Sequence, residues 1–207
     1  MRVVRTLLVA VTLTACATPP VEQFAELEQR LLEAQAMTAE FEIESSGAFT
    51  ANFTGSLQLD GERVVLRYEG LFGGATQRGE LQSNSSAYTF SNGERHTSQA
   101  APAVREAIVL GLSRMGLLHN LAMLVGSGKP DHVDGTIREW VHTEGHRPLP
   151  NGEIAFDVIV DGKPAASATL RLDGAGLPLE RRQSVQFGPG RTMDVVERYR
   201  FTSFSRR

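Results

Sequence analysis

The sequence predicts a mainly β protein of the α+β kind. A strongly curved antiparallel sheet of about eleven strands, an incomplete barrel, should have its concave face covered by an N-terminal helix and a mid-chain helical insert. Three observations predict it. From Met37 onward apolar residues recur with a period of two, the signature of half-buried strands. Turn dipeptides punctuate the alternation at Asp60-Gly61, Asn92-Gly93, Asn151-Gly152, Asp161-Gly162 and Asp173-Gly174, and such pairs meet the positive φ angles of tight hairpins, so successive strands should be antiparallel neighbours. Residues 102–126, PAVREAIVLGLSRMGLLHNLAMLVG, break the pattern with the most apolar stretch beyond the N-terminal segment.

In chain order, Arg2 and Arg5 form a short basic region, and residues 7–11 an apolar one too short to span a bilayer. Leu13-Thr14-Ala15-Cys16 follows directly and resembles a bacterial lipobox. That resemblance implies cleavage of a signal peptide at residues 1–15 and lipidation of Cys16, with residues 16–20 as tether and 21–207 as a single domain. Two or three acyl chains would make a stable membrane anchor, at about 0.8 kcal/mol per buried methylene. Ala17 after the cysteine, by resemblance to enterobacterial lipoproteins, implies an outer-membrane anchor facing the periplasm.

The chain has one cysteine, so the fold is expected to hold by its core without disulfides. With residues 1–15 removed, the 21 basic residues lose Arg2 and Arg5 and become 19 against 24 acidic, a net charge of −5. No nucleic-acid partner is expected from that balance, and the chain is expected to be a monomer.

Residues 21–36 place Phe24, Leu27, Leu31 and Leu32 on one stripe of a charged helix. Its polar face is acidic, which suits packing on a sheet better than lying on a membrane surface. Strands are then expected at 38–46, 49–59, 63–70, 76–83, 86–91 and 94–98, and after the insert at 136–144, 153–160, 165–172, 179–187 and 192–204, two meanders in all. In the insert, Pro102 suits a first helical turn. Gly111 and Gly116 each cost about 1 kcal/mol relative to Ala, predicting two short helices with a break near 113–116. Arg105, Glu106, Arg114, His119 and Asn120 speak against a transmembrane span. The insert is either a movable lid in a cavity or an ordinary core helix pair. A large curved sheet with aliphatic inward rows (Ile154, Phe156, Val158, Val160; Ala168, Leu170, Leu172; Val195, Tyr199, Phe201) fits both.

One helix, a meander, a helical insert and a second meander is the layout of the LolA/LolB-like superfamily of periplasmic lipid and lipoprotein carriers, and the chain resembles it. Leu27-x-x-Arg30-Leu31, then Phe41, and later Gly55-x-Leu57-x-Leu59 resemble the family's opening residues. In the family that strand ends in an Arg-Pro pair whose arginine latches a helical lid. Here the aligned positions read Gly61-Glu62, so no latch is carried over, and Arg63 or Arg67 is an open substitute. The hairpin from Gly70 to Gly79 has no counterpart.

Catalytic readings fail on spacing. Gly111-Leu112-Ser113-Arg114 lacks the strand and glycine spacing of a nucleophile elbow. His142 and His146 lack the glutamate position of a zinc helix, and His132 and Asp134 sit two apart in a polar loop. His119 reads as a core or rim histidine, and Gly70 to Gly74 has no following Lys-Ser/Thr for phosphate. No enzyme activity, metal or cofactor is expected. What remains is a lipoprotein that binds acyl chains of a lipid or lipoprotein in a cavity formed by Phe41, Phe53, Leu57, Ile108, Leu112, Met115, Leu118, Leu121, Phe156, Val158, Leu170 and Tyr199. The alternative is a non-carrier interaction or envelope-stress signalling lipoprotein on the same scaffold.

Overall fold

The structure, a computed structural model, describes residues 18–93, 95–99 (backbone), 104–128, 140–186 and 188–206. Cys16, His132, Asp134 and the first part of the strand expected at 136–144 lie outside the described residues. The elements run α1 (Pro20–Leu32), β1 (Ala34–Gly47), β2 (Ala51–Asp60), β3 (Arg63–Phe72), β4 (Ala75–Ser83), β5 (Ala87–Ser91), β6 (Arg95–Gln99), α2 (Val104–Gly111) and α3 (Leu117–Ser127). The second half continues with β7 (Val141–Pro148), β8 (Ile154–Val160), β9 (Lys163–Leu172), β10 (Pro178–Gln186) and β11 (Thr192–Arg206).

All eleven strands form one sheet in the order β6-β5-β4-β3-β2-β1-β11-β10-β9-β8-β7. Each meander is sequential, and the antiparallel β1–β11 pair, from Ala34↔Arg206 to Gly47↔Met193, joins them. The sheet is not closed into a barrel. Its inward rows are the alternating residues of the sequence pattern: Met37, Ala39, Phe41 and Ile43 on β1, Phe53, Leu57 and Leu59 on β2, and Phe156 and Val158 on β8, all buried. The outer face carries charge in pairs. Glu180 meets Arg182 at 2.9 Å, Arg198 at 3.2 Å and Arg171 at 3.6 Å, and Arg200 pairs with Glu40.

The motif that carries the family resemblance has a packing reason. A Cβ on Gly55 would sit 2.3 Å from Phe41 Cζ and 2.2 Å from the Arg67 carbonyl, so the Phe41 ring lies where only glycine leaves room. Leu27 and Leu31 are buried against the core, while Arg30 donates to the carbonyls of Ala175 (2.7 Å) and Gly176 (3.2 Å). α1 is thereby tied to the β9–β10 turn.

Several boundaries differ from expectation by a few residues, and three differences have a visible cause. The N-terminal helix ends at Leu32, not at residue 36, because Ala34 and Ala36 pair with Arg206 and Ser205 of β11. Arg105 reinforces the change by donating to the carbonyls of Leu32 (3.1 Å) and Ala34 (2.8 Å). Sheet pairing here overrides the helix preference of an alanine-rich stretch. The loop expected after residue 144 is instead the second half of β7, which crosses Gly145 by a register shift between Glu144 and Arg147 and resumes pairing at Arg147↔Ala155. At Asp173-Gly174 it is Gly176 that takes positive φ (71°), while Asp173 Oδ1 accepts from the backbone N–H of Ala175 and Leu177 at 2.8 and 2.9 Å.

The break in the insert falls at residues 112–116, as the two glycines imply. Ile108, Val109, Leu110, Leu112, Leu117, Leu121 and Leu124 are fully buried. At about 1.5–3 kcal/mol per buried aliphatic side chain, these residues alone match or exceed the roughly 5–15 kcal/mol that holds a whole domain folded. The insert is therefore structural core along most of its length.

Candidate functional site

Where α3 leaves the sheet, the core is incomplete. An apolar cavity of about 470 Å³ lies between Met115, Leu118, His119 and Ala122 on the helical side and Val160, Ala165, Val185, Met193 and Val195 on the sheet. Phe49, Phe72 and Trp140 complete its wall, and Gln183 and Gln186 are its other polar members. The volume falls within the range of small-molecule sites. The sheet residues all belong to one end of the sheet, near the turns β1–β2, β3–β4, β8–β9 and β10–β11. At that end Phe49 (43% exposed) and Leu71 (47%) stand in solvent.

A buried charged cluster fixes the helical side of the cavity. Glu197, on the inward row of β11, is 0% exposed and accepts the backbone N–H groups of Leu117 and Leu118, each at 2.8 Å. α3 has no side-chain cap of its own, its N-cap being Gly116. A carboxylate from the sheet thus supplies the anion that a helix N-terminus favours. The Tyr199 hydroxyl donates to the same carboxylate, and burial together with that negative charge pushes its ionisation well above the ordinary tyrosine range. Arg181 on β10, also 0% exposed, donates through Nε to the Arg114 carbonyl at 3.1 Å and through Nη2 to Gln183 Oε1. Burial lowers its pKa, opposed by the nearby Glu197 charge.

The elbow between α2 and α3 is held equally from α1. Arg114 forms a two-pronged pair with Glu28, Nε to Oε1 at 2.6 Å and Nη2 to Oε2 at 2.8 Å, and its Nη1 donates to the Val141 carbonyl at 2.6 Å. Ser113 Oγ donates to Glu28 Oε1 at 3.1 Å. Residues 113–118 are therefore clamped by Glu28, Arg181 and Glu197. Arg67 makes no such contact: it pairs with Glu80 on the outer face at 2.6 Å, and Arg63 is exposed.

Of the residues expected to form the cavity, the structure brings Met115 and Leu118 to its wall. Phe41, Phe53, Leu57, Ile108, Leu112, Leu121, Phe156, Val158, Leu170 and Tyr199 are buried in the surrounding core. Sequence reasoning missed Arg181, Gln183 and Glu197. The signal was present, since Glu197 lies midway between the inward Val195 and Tyr199, and Gln183 lies two residues from both Arg181 and Val185.

His146 packs at 4.7 Å from the Phe24 ring and 5.8 Å from Phe156, and its Nε2 meets Thr143 Oγ1 at 3.1 Å. Burial lowers its pKa, partly offset by the Glu28 carboxylate. A histidine held below its unfolded pKa takes up fewer protons in the native state than in the unfolded chain. Its contribution is fully present above the unfolded pKa and is lost as pH falls through the histidine range toward the folded value. Melting temperature should drop between about pH 7.5 and pH 5.5. His146→Phe, which keeps the ring contacts, should flatten that part of the profile. An unchanged slope in the variant would assign it to other groups.

Two other features are weaker candidates. A larger groove, about 920 Å³, crosses the outer face, but it is open and walled by charges of both signs, among them Glu40, Arg67, Glu80, Arg198 and Arg200, several already paired. His142 bonds Glu144 at 3.1 Å on an exposed strand. Among the described residues no group of three His, Cys, Asp or Glu side chains is placed to hold a metal, and no helix is long and apolar enough to cross a membrane.

Fold and site together define an open antiparallel half-barrel, filled by helices and hollow at one end, in the LolA-like order of elements that the sequence resemblance implies. No protein-family model matches the sequence, and no curated protein matches it. Similar solved structures include an uncharacterised conserved protein from Thermus thermophilus, at 12% identity and a TM-score of 0.41, covering 90% of this chain and 87% of that one. Another is a LolA superfamily protein from Nitrosomonas europaea, at 6% identity and a TM-score of 0.35, covering 92% and 94%. A third is MucB in complex with MucA(peri), at 15% identity and a TM-score of 0.31, where 89% of this chain matches 53% of that one, about half its length. These are likenesses of overall layout, and no residue role is transferred from them.

Proposed function

We propose that this chain is a cell-envelope lipoprotein, anchored through Cys16 in the outer membrane and facing the periplasm, that shelters an acyl chain of a lipid or of another lipoprotein. Its role is binding and transfer without catalysis. The observation that carries the proposal is the apolar cavity of about 470 Å³ between α3 and the concave face. Four features support it: the cavity's apolar walls, the adaptable side chains of Met115 and Met193, the exposed Phe49 beside it, and the lipobox-like Leu13 to Cys16. Because most of the insert is core, entry takes place at the hollow end of the sheet, past Phe49, Met115 and Ala122, and the insert as a whole does not swing away.

Native mass spectrometry with lipid extraction, on residues 18–207 secreted into a Gram-negative periplasm, tests the reading. Phospholipid or acyl species should co-purify at near-stoichiometric amounts. Ala122→Phe, which fills part of the cavity, should abolish retention while keeping or raising the melting temperature. A clean apo mass, unchanged after incubation with lipid vesicles, would overturn the carrier reading. It would favour the interaction-protein alternative, for which Phe49 and Leu71, exposed at neighbouring strand ends, are the apolar surface on offer.

A further inference from the structure

The cavity is apolar nearly throughout, yet one buried amide belongs to its wall. Gln183 is 7% exposed, lies on the inward row of β10, and lines the cavity. Its oxygen is already committed, because Arg181 Nη2 donates to Gln183 Oε1. A guanidinium has donors and no acceptor, so only the amide oxygen can face it, and this fixes which way round the amide sits. The –NH₂ end of Gln183 is thereby turned away from Arg181 and remains available to the cavity. Arg181 is itself held by the Arg114 carbonyl and feels the nearby Glu197 charge, while its Nη1 has no hydrogen-bond partner among the described residues. The other polar members differ in kind. Gln186 is exposed at the end of the strand, and the ring of His119 lies 5.9 Å from that of Trp140.

Resting on the acyl-binding reading above, we infer that Gln183, aimed by Arg181, is the polar pole of the cavity and donates a hydrogen bond to the carbonyl oxygen of a neutral acyl ester or amide. A donor in an apolar site is left unsatisfied by a plain hydrocarbon and is satisfied by a carbonyl at the head of the chain. An ionised free fatty acid fits less well. Its charge would have to be buried, and among the described residues the buried guanidinium of Arg181 is already bonded to Gln183 and lies near the Glu197 carboxylate. The ligand class is thus an acyl chain still esterified or amidated, as in a lipid or a lipoprotein, rather than a free acid.

The test uses the full chain with Cys16→Ser, so that no acyl group of its own competes, and displacement of diphenylhexatriene by three ligands of equal chain length: a methyl ester, an alkane and the ionised acid. The ester should bind about tenfold more tightly than the alkane, the worth of one buried hydrogen bond, and the acid no better than the alkane. Gln183→Glu keeps an oxygen facing Arg181 but removes the donor, and Gln183→Met removes both. In each, the ester should fall to the level of the alkane while alkane binding persists. Equal binding of ester and alkane by the wild type, a preference that survives both variants, or tightest binding of the acid would each overturn the inference and leave the apolar cavity standing. Binding of none of the three would overturn the acyl-binding reading itself, and the inference with it.

Discussion

Glu197→Leu is expected to lower stability by about 3–5 kcal/mol, the usual cost of removing one partner from a buried charged cluster. The loss has three sources in one position. The N–H groups of Leu117 and Leu118 lose the acceptor that caps α3, the Tyr199 hydroxyl loses its partner, and Arg181 remains fully buried without a balancing anion. Against a total stability of roughly 5–15 kcal/mol, a loss of this size takes away a large share of what holds the fold. Adding Arg181→Met should restore only the part that comes from the unbalanced cation. Removing both charges spares the buried guanidinium its lone charge, which is often the larger cost, while the N–H groups of Leu117 and Leu118 and the Tyr199 hydroxyl stay without their acceptor. Urea unfolding of the two single variants and the double variant closes the cycle. A double variant no better than the sum of the singles would show that the two side chains do not act on each other. A wild-type midpoint for Glu197→Leu would mean that the carboxylate faces water.

Why this cluster escaped a reading of the sequence, while the sheet around it did not, follows from what alternation can report. Strands β2, β3 and β9 bury one apolar row and largely wet the other, so a period of two finds them and Asn-Gly or Asp-Gly finds most of their turns. Arg181 and Glu197 occupy inward positions in the same rhythm, but each is followed by an arginine, Arg182 and Arg198, that does face solvent. A rule that assigns charge to the surface absorbs both members of such a pair. Ala34 and the half-strand after Gly145 were lost for another reason. Their pairing partners, Arg206 and Ala155, are chosen by tertiary register, and local composition there speaks for helix or loop. The family-like motif was legible for its residues but not for its cause, which is the contact of Gly55 with the Phe41 ring. As for the cavity, the sequence points to the helical segment that walls it. Where packing stops short depends on distances across the sheet that no one-dimensional pattern carries.

Gly116→Ala should be nearly as damaging as loss of Glu197, although it adds only one methyl group. Gly116 has φ 87° and ψ 164°, a region essentially closed to other residues and costing about 1–3 kcal/mol when forced. The added Cβ would also lie 2.5 Å from Glu197 Oε1 and 2.7 Å from both Arg181 Nη1 and Glu197 Oε2. Those atoms cannot yield cheaply, because the same carboxylate is holding Leu117 and Leu118; overpacking of this kind costs about a further 1–3 kcal/mol. Gly126→Ala is the control. It lies inside α3, near the end opposite Gly116, with nothing within 4 Å of its would-be Cβ, and should raise stability by about 0.5–1 kcal/mol through helix preference alone. Thermal melts of the two variants should therefore move in opposite directions. If Gly116→Ala melts like the wild type, the elbow can rearrange at low cost, the clamp made by Glu28, Arg181 and Glu197 is not rigid, and access to the cavity would run through movement of α3. A large drop for Gly116→Ala beside a gain for Gly126→Ala places the rigidity at the elbow and leaves the hollow end of the sheet, near Phe49 and Met115, as the way in.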